Sequence, residues 1–183
     1  ELHLKRMVVG GFEKVYELGR IFRNEGISTK HNPEFTSVEI YQAFSNYVDM
    51  MNLTEELVKD IVFDACGSLV INYQNKEIDF SKPWLRVSMK DIVKQYTGID
   101  FESFNGDFQT AQQAVKSINV EFSRKVNSIG RLLNEVFEQK VESQLIEPTF
   151  VIDYPLEISP LARPHLKNKE MVQRFELFIV GRE

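Results

Sequence analysis

Charged and aromatic side chains alternate along two stretches that flank a polar loop within residues 16–44. An arginine such as Arg23 holds a phosphate or a carboxylate with a fork of donors. Glu39 and Tyr41 are two residues apart, so a strand places both on one face, where a carboxylate and a phenol hydroxyl suit an ammonium group. The pattern predicts a site for a ligand with both signs of charge. A solvated sheet face with paired charges is the alternative.

Two strands must position these residues, and period-two alternation predicts them at residues 15–25 and 35–44. One face of each strand is apolar, and we expect it to pack in the core; it carries Tyr16, Leu18 and Phe22, then Val38, Ile40 and Phe44. The opposite face carries Glu17, Arg23 and Glu25 in the first strand, then Phe35, Ser37, Glu39 and Tyr41 in the second. The predicted site therefore lies on one face of a hairpin.

Hydrophobic periodicity predicts helices at residues 2–9, 49–66 and 88–96, and a helical stretch over 97–147 that is clearest at 129–145. Further strands are predicted at 69–73, 77–80, 148–155 and 174–180. Strands at both ends with helices between them predict an α+β fold with a mainly antiparallel sheet. We expect residues 1–96 and 148–183 to form parts of one core and residues 97–147 to be a helical insertion.

Composition narrows the class of protein. The chain has 183 residues and a net charge of -5, which argues against a surface wholly devoted to nucleic-acid backbone. Its single cysteine, Cys66, cannot form an internal disulfide, and no cluster of histidines and cysteines suggests zinc. No apolar run approaches the ~20 residues that span a membrane.

The stretch FRNEGISTKHNPEFTSVEIYQAF resembles motif 2 of the class II aminoacyl-tRNA synthetases, in the form found in lysyl-tRNA synthetases. The segment ELHLKRMVVGGFEKVYELGRIFRNEG is similar to the one that leads into motif 2 in that family. LIEPTFVIDYPLEISPLARPH and RFELFIVGRE are similar to the strands that precede motif 3. The resemblance covers nearly the whole chain and is weakest across the helical insertion.

The resemblance implies an ATP site on the hairpin. Arg23 is similar to the motif 2 arginine that binds the α-phosphate of ATP and the carboxylate of the amino acid. Glu25 is similar to the residue that meets the adenine amino group, and Phe35 to the ring that stacks on adenine. His31 and Asn32 belong to the loop over the triphosphate in that family.

The resemblance also implies sites for lysine and for Mg²⁺. Glu1 is similar to the carboxylate near the α-ammonium of lysine. Glu39 and Tyr41 are similar to the pair that holds its ε-ammonium. Glu176 and Glu183 are similar to the carboxylates that carry the magnesium ions.

The spacing of these last two carboxylates depends on the turn between them. With a two-residue turn at Val180 and Gly181, Glu183 lies opposite Phe178 and shares a face with Glu176, at a diagonal distance of ~7–8 Å. A three-residue turn would place the two carboxylates on opposite faces. Two unrelated surface glutamates are the alternative.

The implied reaction is activation of L-lysine as lysyl-adenylate and its transfer to tRNA(Lys), by a cytoplasmic homodimer with no membrane segment. An aspartate or asparagine enzyme is disfavoured because Glu39 would repel an acidic substrate. The alternatives are a paralogue that lysylates a protein and a non-catalytic binding module with the same fold. We expect the stretch to be a piece of a longer protein that is inactive alone, because motifs 1 and 3 of the family are absent from it.

Overall fold

The computed structural model describes residues 1–24, 26–28, 31–122 and 126–183. These residues form two compact units, Glu1–Val48 and Asp49–Glu183. In the described part of the chain, no helix combines the length and the apolar character needed to cross a membrane.

The first unit is a helix followed by a hairpin. Helix α1 (Leu2–Val9) ends at Gly10, whose backbone N–H bonds back to the carbonyl oxygen of Arg6. Strands β1 (Lys14–Phe22) and β2 (Glu34–Gln42) pair antiparallel, with Glu17 opposite Glu39 and Ile21 opposite Phe35. Because opposite residues share a face, this register confirms the predicted common face for Glu17, Phe35, Glu39 and Tyr41.

The prediction that the other hairpin face packs in the core is wrong. Tyr16, Leu18 and Phe22 are 73%, 66% and 74% exposed, and Val38 is 46% exposed. The reason is the position of α1, which packs on the charged face, where His3 contacts Glu17 and Lys5 lies over the Tyr41 ring. Phe44 lies outside the strand, because the backbone turns at this residue with φ 56°. Its side chain is fully exposed.

The second unit contains the following elements: α2 (Tyr47–Cys66, almost wholly in this unit), β3 (Val70–Tyr73), β4 (Lys76–Asp79), β5 (Leu85–Ser88), α3 (Met89–Thr97), α4 (Phe108–Ser117), α5 (Ile129–Lys140), β6 (Thr149–Pro155) and β7 (Met171–Phe178). Strands β3 and β4 form a hairpin.

The larger sheet has the order β5-β6-β7, with β5 parallel to β6 and β7 antiparallel to β6. Strand β5 was not predicted; its parallel pairing is possible because α3 to α5 make the crossover to β6. The α+β class with antiparallel-rich sheets is confirmed.

Local sequence explains the ends of these helices. The Ser88 hydroxyl accepts a hydrogen bond from the Asp91 backbone N–H at 3.1 Å and so caps α3, which ends at Gly98 in a left-handed conformation. The Ser128 hydroxyl caps α5 in the same way. The apolar stripe predicted for α5 is buried, at no more than 2% exposure; it consists of Leu132, Leu133, Val136, Phe137 and Val141, the last just past the helix. It packs against the sheet, where the rings of Phe137 and Phe178 lie 5.2 Å apart.

A charged cluster joins α2 to β5. The Glu55 carboxylate accepts hydrogen bonds from Lys59 at 2.7 Å and Arg86 at 3.1 Å, with its side chain 16% exposed. The same cations lie over aromatic rings, Lys59 over Trp84 and Arg86 over Phe150. Burial alone would raise the pKa of Glu55, but the hydrogen bonds from both cations outweigh burial and hold the pKa below its ordinary value.

Replacing Glu55 with glutamine should lower the free energy of unfolding of the chain by about 1–3 kcal/mol at pH 7, because two cations lose their partner. A carboxyl whose folded pKa is depressed stabilises the fold fully above its unfolded pKa, ~4.3. That contribution disappears as the pH falls through the folded pKa. Urea unfolding of both proteins at pH 7 and at about pH 3.5 measures the difference. Glu56→Gln, on the exposed side of the same helix, is the control; a deficit that does not shrink at low pH would contradict the assignment.

Candidate functional site

The start of α1 and the end of β2 bring together three of the four residues predicted to bind lysine, those assigned to its ammonium groups; the fourth, Arg23, lies at the loop end of the hairpin. The Tyr41 hydroxyl donates to Glu39 Oε2 at 3.2 Å. The Glu1 backbone nitrogen lies 3.6 Å from the same oxygen. Lys5 Nζ donates to the Glu1 carboxylate and lies 5.9 Å from the centre of the Tyr41 ring. We call these four residues, Glu1, Lys5, Glu39 and Tyr41, the ammonium cluster.

The electrostatics of the ammonium cluster favour a cation. Burial, then the charges of Glu39 and Glu1, raises the pKa of Tyr41, so its hydroxyl stays protonated as a donor. The hydrogen bond with Glu1 raises the pKa of Lys5, and the same bond lowers the pKa of the Glu1 carboxyl. One carboxylate of the cluster, that of Glu1, thus already accepts from an ammonium group of the chain itself, and the charge of Glu39 also acts on that ammonium group.

A second group lies at the loop end of the hairpin. Arg23 directly follows β1, and its backbone N–H donates to the Pro33 carbonyl at 2.9 Å, which extends the ladder by one residue pair. The Arg23 guanidinium carbon lies 5.4 Å from the centre of the half-buried Phe35 ring. The pair offers a flat apolar surface beside a fixed positive charge, which suits a planar base that carries phosphate.

The loop that joins the two strands contains the remaining predicted ATP residues. The His31 backbone N–H and its ring Nδ1 both lie 3.0 Å from the Ser28 hydroxyl oxygen. In return, the Ser28 backbone N–H donates to the His31 carbonyl at 3.0 Å. His31 and the neighbouring Asn32 are exposed. Glu25 lies outside the described residues.

The spacing along β2 relates the two groups. Phe35, Glu39 and Tyr41 share a face, and Phe35 and Glu39 are four residues apart. At 3.2–3.4 Å per residue this separation is about 13 Å. One end of the hairpin face therefore offers carboxylates for an ammonium group, and the other end offers an aromatic ring beside a guanidinium. The arrangement suits an elongated ligand that carries an ammonium group at one end and a phosphorylated planar base at the other.

The second unit contains the two carboxylates predicted to bind magnesium. Ile179 and Arg182 exchange backbone hydrogen bonds of 2.9 and 3.2 Å around Val180 (φ 56°) and Gly181 (φ 70°). This is a two-residue turn with both central residues left-handed, so the predicted geometry is confirmed and Glu183 falls on the face of Glu176. A side chain at Gly181 would approach the backbone of Ser143 to 2.9 Å, so the turn also packs tightly.

These carboxylates line a cavity of about 310 Å³. Its charged lining residues are Glu138, Glu142, Arg174, Glu176 and Glu183. Burial raises the pKa of Glu176 and of Glu138, and neighbouring carboxylates raise both further. The cavity lining contains four carboxylates and one arginine. Carboxylate oxygens are among the ligands that Mg²⁺ prefers. Among the described residues, no group of three or more acidic, histidine or cysteine side chains is placed to hold a metal ion by itself.

Two residues that bond to Glu176 in this cavity were not predicted as site residues. The Tyr154 hydroxyl donates to Glu176 Oε2 at 2.7 Å, and Arg174 donates to Glu176 Oε1. Alternation could have found Arg174, two residues before Glu176 on one strand. It could not find Tyr154, because the pairing of β6 with β7 shifts beside Asp153, whose backbone is left-handed with φ 58°.

Comparison with known proteins gives a consistent result. The family of class II tRNA synthetases (D, K and N) matches residues 1–183. Over all 183 residues, the chain is 92% identical to a Lysine--tRNA ligase of Prochlorococcus marinus strain MIT 9312 and 87% identical to that of strain MIT 9301. It is 61% identical to the Lysine--tRNA ligase of strain MIT 9313. The chain spans 36% of the length of each of these relatives.

Proposed function

Because the chain belongs to the class II tRNA synthetases of the D, K and N group, we propose that the full-length protein activates L-lysine with ATP and transfers it to tRNA(Lys). The ammonium cluster carries this proposal, since in it the Glu1 carboxylate accepts from the Lys5 ammonium group and the Tyr41 hydroxyl donates to the carboxylate of Glu39. The matching relatives, which are named Lysine--tRNA ligase, support the same substrate.

In this proposal the ammonium cluster binds the amino acid. Glu39 and Tyr41 hold the ε-ammonium, and Glu1 lies near the α-ammonium. Glu39 sets the specificity, because a partly desolvated carboxylate requires a cation. An uncharged side chain in that place would leave the carboxylate without a partner.

The loop end of the hairpin binds ATP in this proposal. Arg23 binds the α-phosphate and the lysine carboxylate. Phe35 stacks on adenine, and Glu25 accepts a hydrogen bond from the adenine amino group. His31 and Asn32 contact the triphosphate. The observed contact of Arg23 with Phe35 supports a base and a phosphate held side by side.

Glu176 and Glu183 would hold magnesium. Bound there, a magnesium ion would neutralise charge on the leaving pyrophosphate. The acidic lining and the shared face of the two carboxylates support this role.

The first step needs alignment and charge neutralisation from the protein. An oxygen of the lysine carboxylate forms a bond to the α-phosphorus, and the bond from that phosphorus to the oxygen that bridges to the β-phosphate breaks. Arg23 aligns the two reactants and stabilises the charge that develops on the α-phosphate. A carboxylate is already a nucleophile at neutral pH, so no general base is required. In the second step a ribose hydroxyl of the tRNA displaces AMP from the adenylate.

The same proposal includes organisation and partners. Residues 1–96 and 148–183 contribute to the catalytic core and residues 97–147 form an insertion in it. The full-length protein is a homodimer that works in the cytoplasm on tRNA(Lys).

The test is amino-acid-dependent ATP–pyrophosphate exchange by a full-length protein that carries this sequence, with lysine, aspartate or asparagine and without tRNA. We expect exchange with lysine alone. Exchange with aspartate or asparagine would overturn the assignment of Glu39. No exchange in a folded protein with magnesium would favour a non-catalytic binding module, and lysylation of a protein but not of tRNA would favour the paralogue.

A further inference from the structure

Tyr154 is buried beside the acidic cavity and makes one directed contact there. It is 2% exposed, and its hydroxyl donates to Glu176 Oε2 at 2.7 Å. Arg174 donates to the other oxygen of the same carboxylate, and its guanidinium lies 4.8 Å from the centre of the Tyr154 ring. Arg174 is itself anchored by the buried Ser159 hydroxyl at 2.5 Å. The three side chains therefore fix one another.

This arrangement determines the orientation of Glu176. A carboxylate has about four lone-pair sites. Tyr154 and Arg174 occupy one site on each oxygen, so the plane of the group cannot rotate without breaking both contacts. These two contacts leave the other lone-pair sites of Glu176 unused, and Glu176 lines the same cavity as Glu183. Arg174 alone would provide a hydrogen bond and a charge partner for the half-buried Glu176 carboxylate. The second bond, from the buried Tyr154 hydroxyl, therefore serves to fix the orientation of that carboxylate.

We propose that Tyr154 is a positioning residue, which orients the Glu176 carboxylate so that its free lone pairs face a divalent cation in the cavity. The inference rests on the proposed function, because it takes Glu176 to be a metal ligand. Asp153 makes the contact possible, since its left-handed backbone shifts the strand pairing beside Tyr154.

The test compares Tyr154→Phe with the unchanged full-length protein. The substitution removes the hydroxyl and retains the ring that packs in the core. Partners of metal ligands typically contribute 10–100-fold to metal affinity. We expect the dissociation constant of Mn²⁺, measured by electron paramagnetic resonance with a non-hydrolysable ATP analogue present, to rise about 10-fold or more. The Mg²⁺ concentration for half-maximal exchange should rise in parallel, with the KM for lysine unchanged.

Two further variants make the result specific. Tyr96→Phe removes a hydroxyl from a residue that is 45% exposed and should leave Mn²⁺ affinity unchanged. Substitution of 4-aminophenylalanine for Tyr154 keeps the ring, restores an N–H donor at the place of the hydroxyl and should recover most of the affinity. It also carries the test if Tyr154→Phe does not fold, since retained affinity then supports the inference and lost affinity in a folded protein overturns it.

We expect a 10-fold or larger effect from the loss of a metal-ligand partner. The inference would be overturned if a folded Tyr154→Phe variant bound Mn²⁺ within about twofold of the affinity of the unchanged protein. A loss confined to the KM for lysine would overturn it as well. Failure of the proposed function is a separate result: the unchanged protein would then show no lysine-dependent exchange, whereas the Mn²⁺ comparison would still decide the role of Tyr154.

Discussion

Replacing Arg23 with alanine is expected to lower lysine-dependent ATP–pyrophosphate exchange by a full-length protein with this sequence ~10³-fold or more. The backbone N–H of Arg23 itself continues the hairpin ladder to Pro33, and the guanidinium lies over the Phe35 ring. Both contacts position the guanidinium. In the proposed reaction it contacts both the attacking carboxylate and the α-phosphate, so its loss removes alignment and charge stabilisation together. The measurement is kcat/KM for ATP at saturating lysine.

Arg23→Lys separates the two contributions of Arg23. Lysine keeps the charge but lacks the planar fork, so we expect partial recovery to roughly 10–100-fold below the unchanged protein. Arg131→Ala is the matched control, because Arg131 is an exposed arginine on α5 to which the proposed reaction assigns no role. Exchange by Arg23→Ala within tenfold of the unchanged protein would remove Arg23 from the mechanism.

The second large effect concerns Glu39. Glu39→Gln should raise the dissociation constant of lysine on the order of 10³-fold, because a charged partner of the ε-ammonium is replaced by a neutral amide. The KM for ATP should change by no more than a few-fold, since the Phe35 ring lies about 13 Å away along the strand. Calorimetric titration with lysine, followed by exchange kinetics, measures both quantities.

Two comparisons complete this test. Glu56→Gln, the same chemical change on the exposed side of α2, should leave lysine binding unaltered. Tyr41→Phe removes the hydroxyl that bonds to Glu39 and should weaken lysine binding about 10-fold, less than loss of the carboxylate charge. Unaltered lysine affinity in Glu39→Gln would place the ammonium site elsewhere.

Local rules predicted the charged face of the hairpin, and they predicted one of the two turns that the sequence left open at Gly181. Alternation at period two placed Glu39, Tyr41 and Phe35 on one face, and the register confirms it. Turn length and side-chain alternation together placed Glu183 on the face of Glu176. These features depend on neighbours in sequence, so the sequence contains the information needed to predict them.

Features that depend on distant partners could not be predicted in the same way. Strand β5 has only four residues, and its existence follows from its parallel pairing with β6 across more than sixty residues of chain. The exposure of Leu18 and Phe22 depends on which hairpin face α1 covers. The place of Tyr154 in the acidic cavity depends on one left-handed residue, Asp153, a conformation that no local pattern required.

The turn at Val180 and Gly181 has a consequence for how this part of the molecule can evolve. Side chains alternate strictly along a strand, so a single-residue insertion or deletion in the turn would move Glu183 to the opposite side of the sheet. Glu176 would stay in place, yet the pair would be separated without any change of either glutamate. The close approach of Gly181 to Ser143 further restricts the residues that fit. Among descendants of this sequence, the length of the turn should therefore vary as little as the identities of the two carboxylates it aligns.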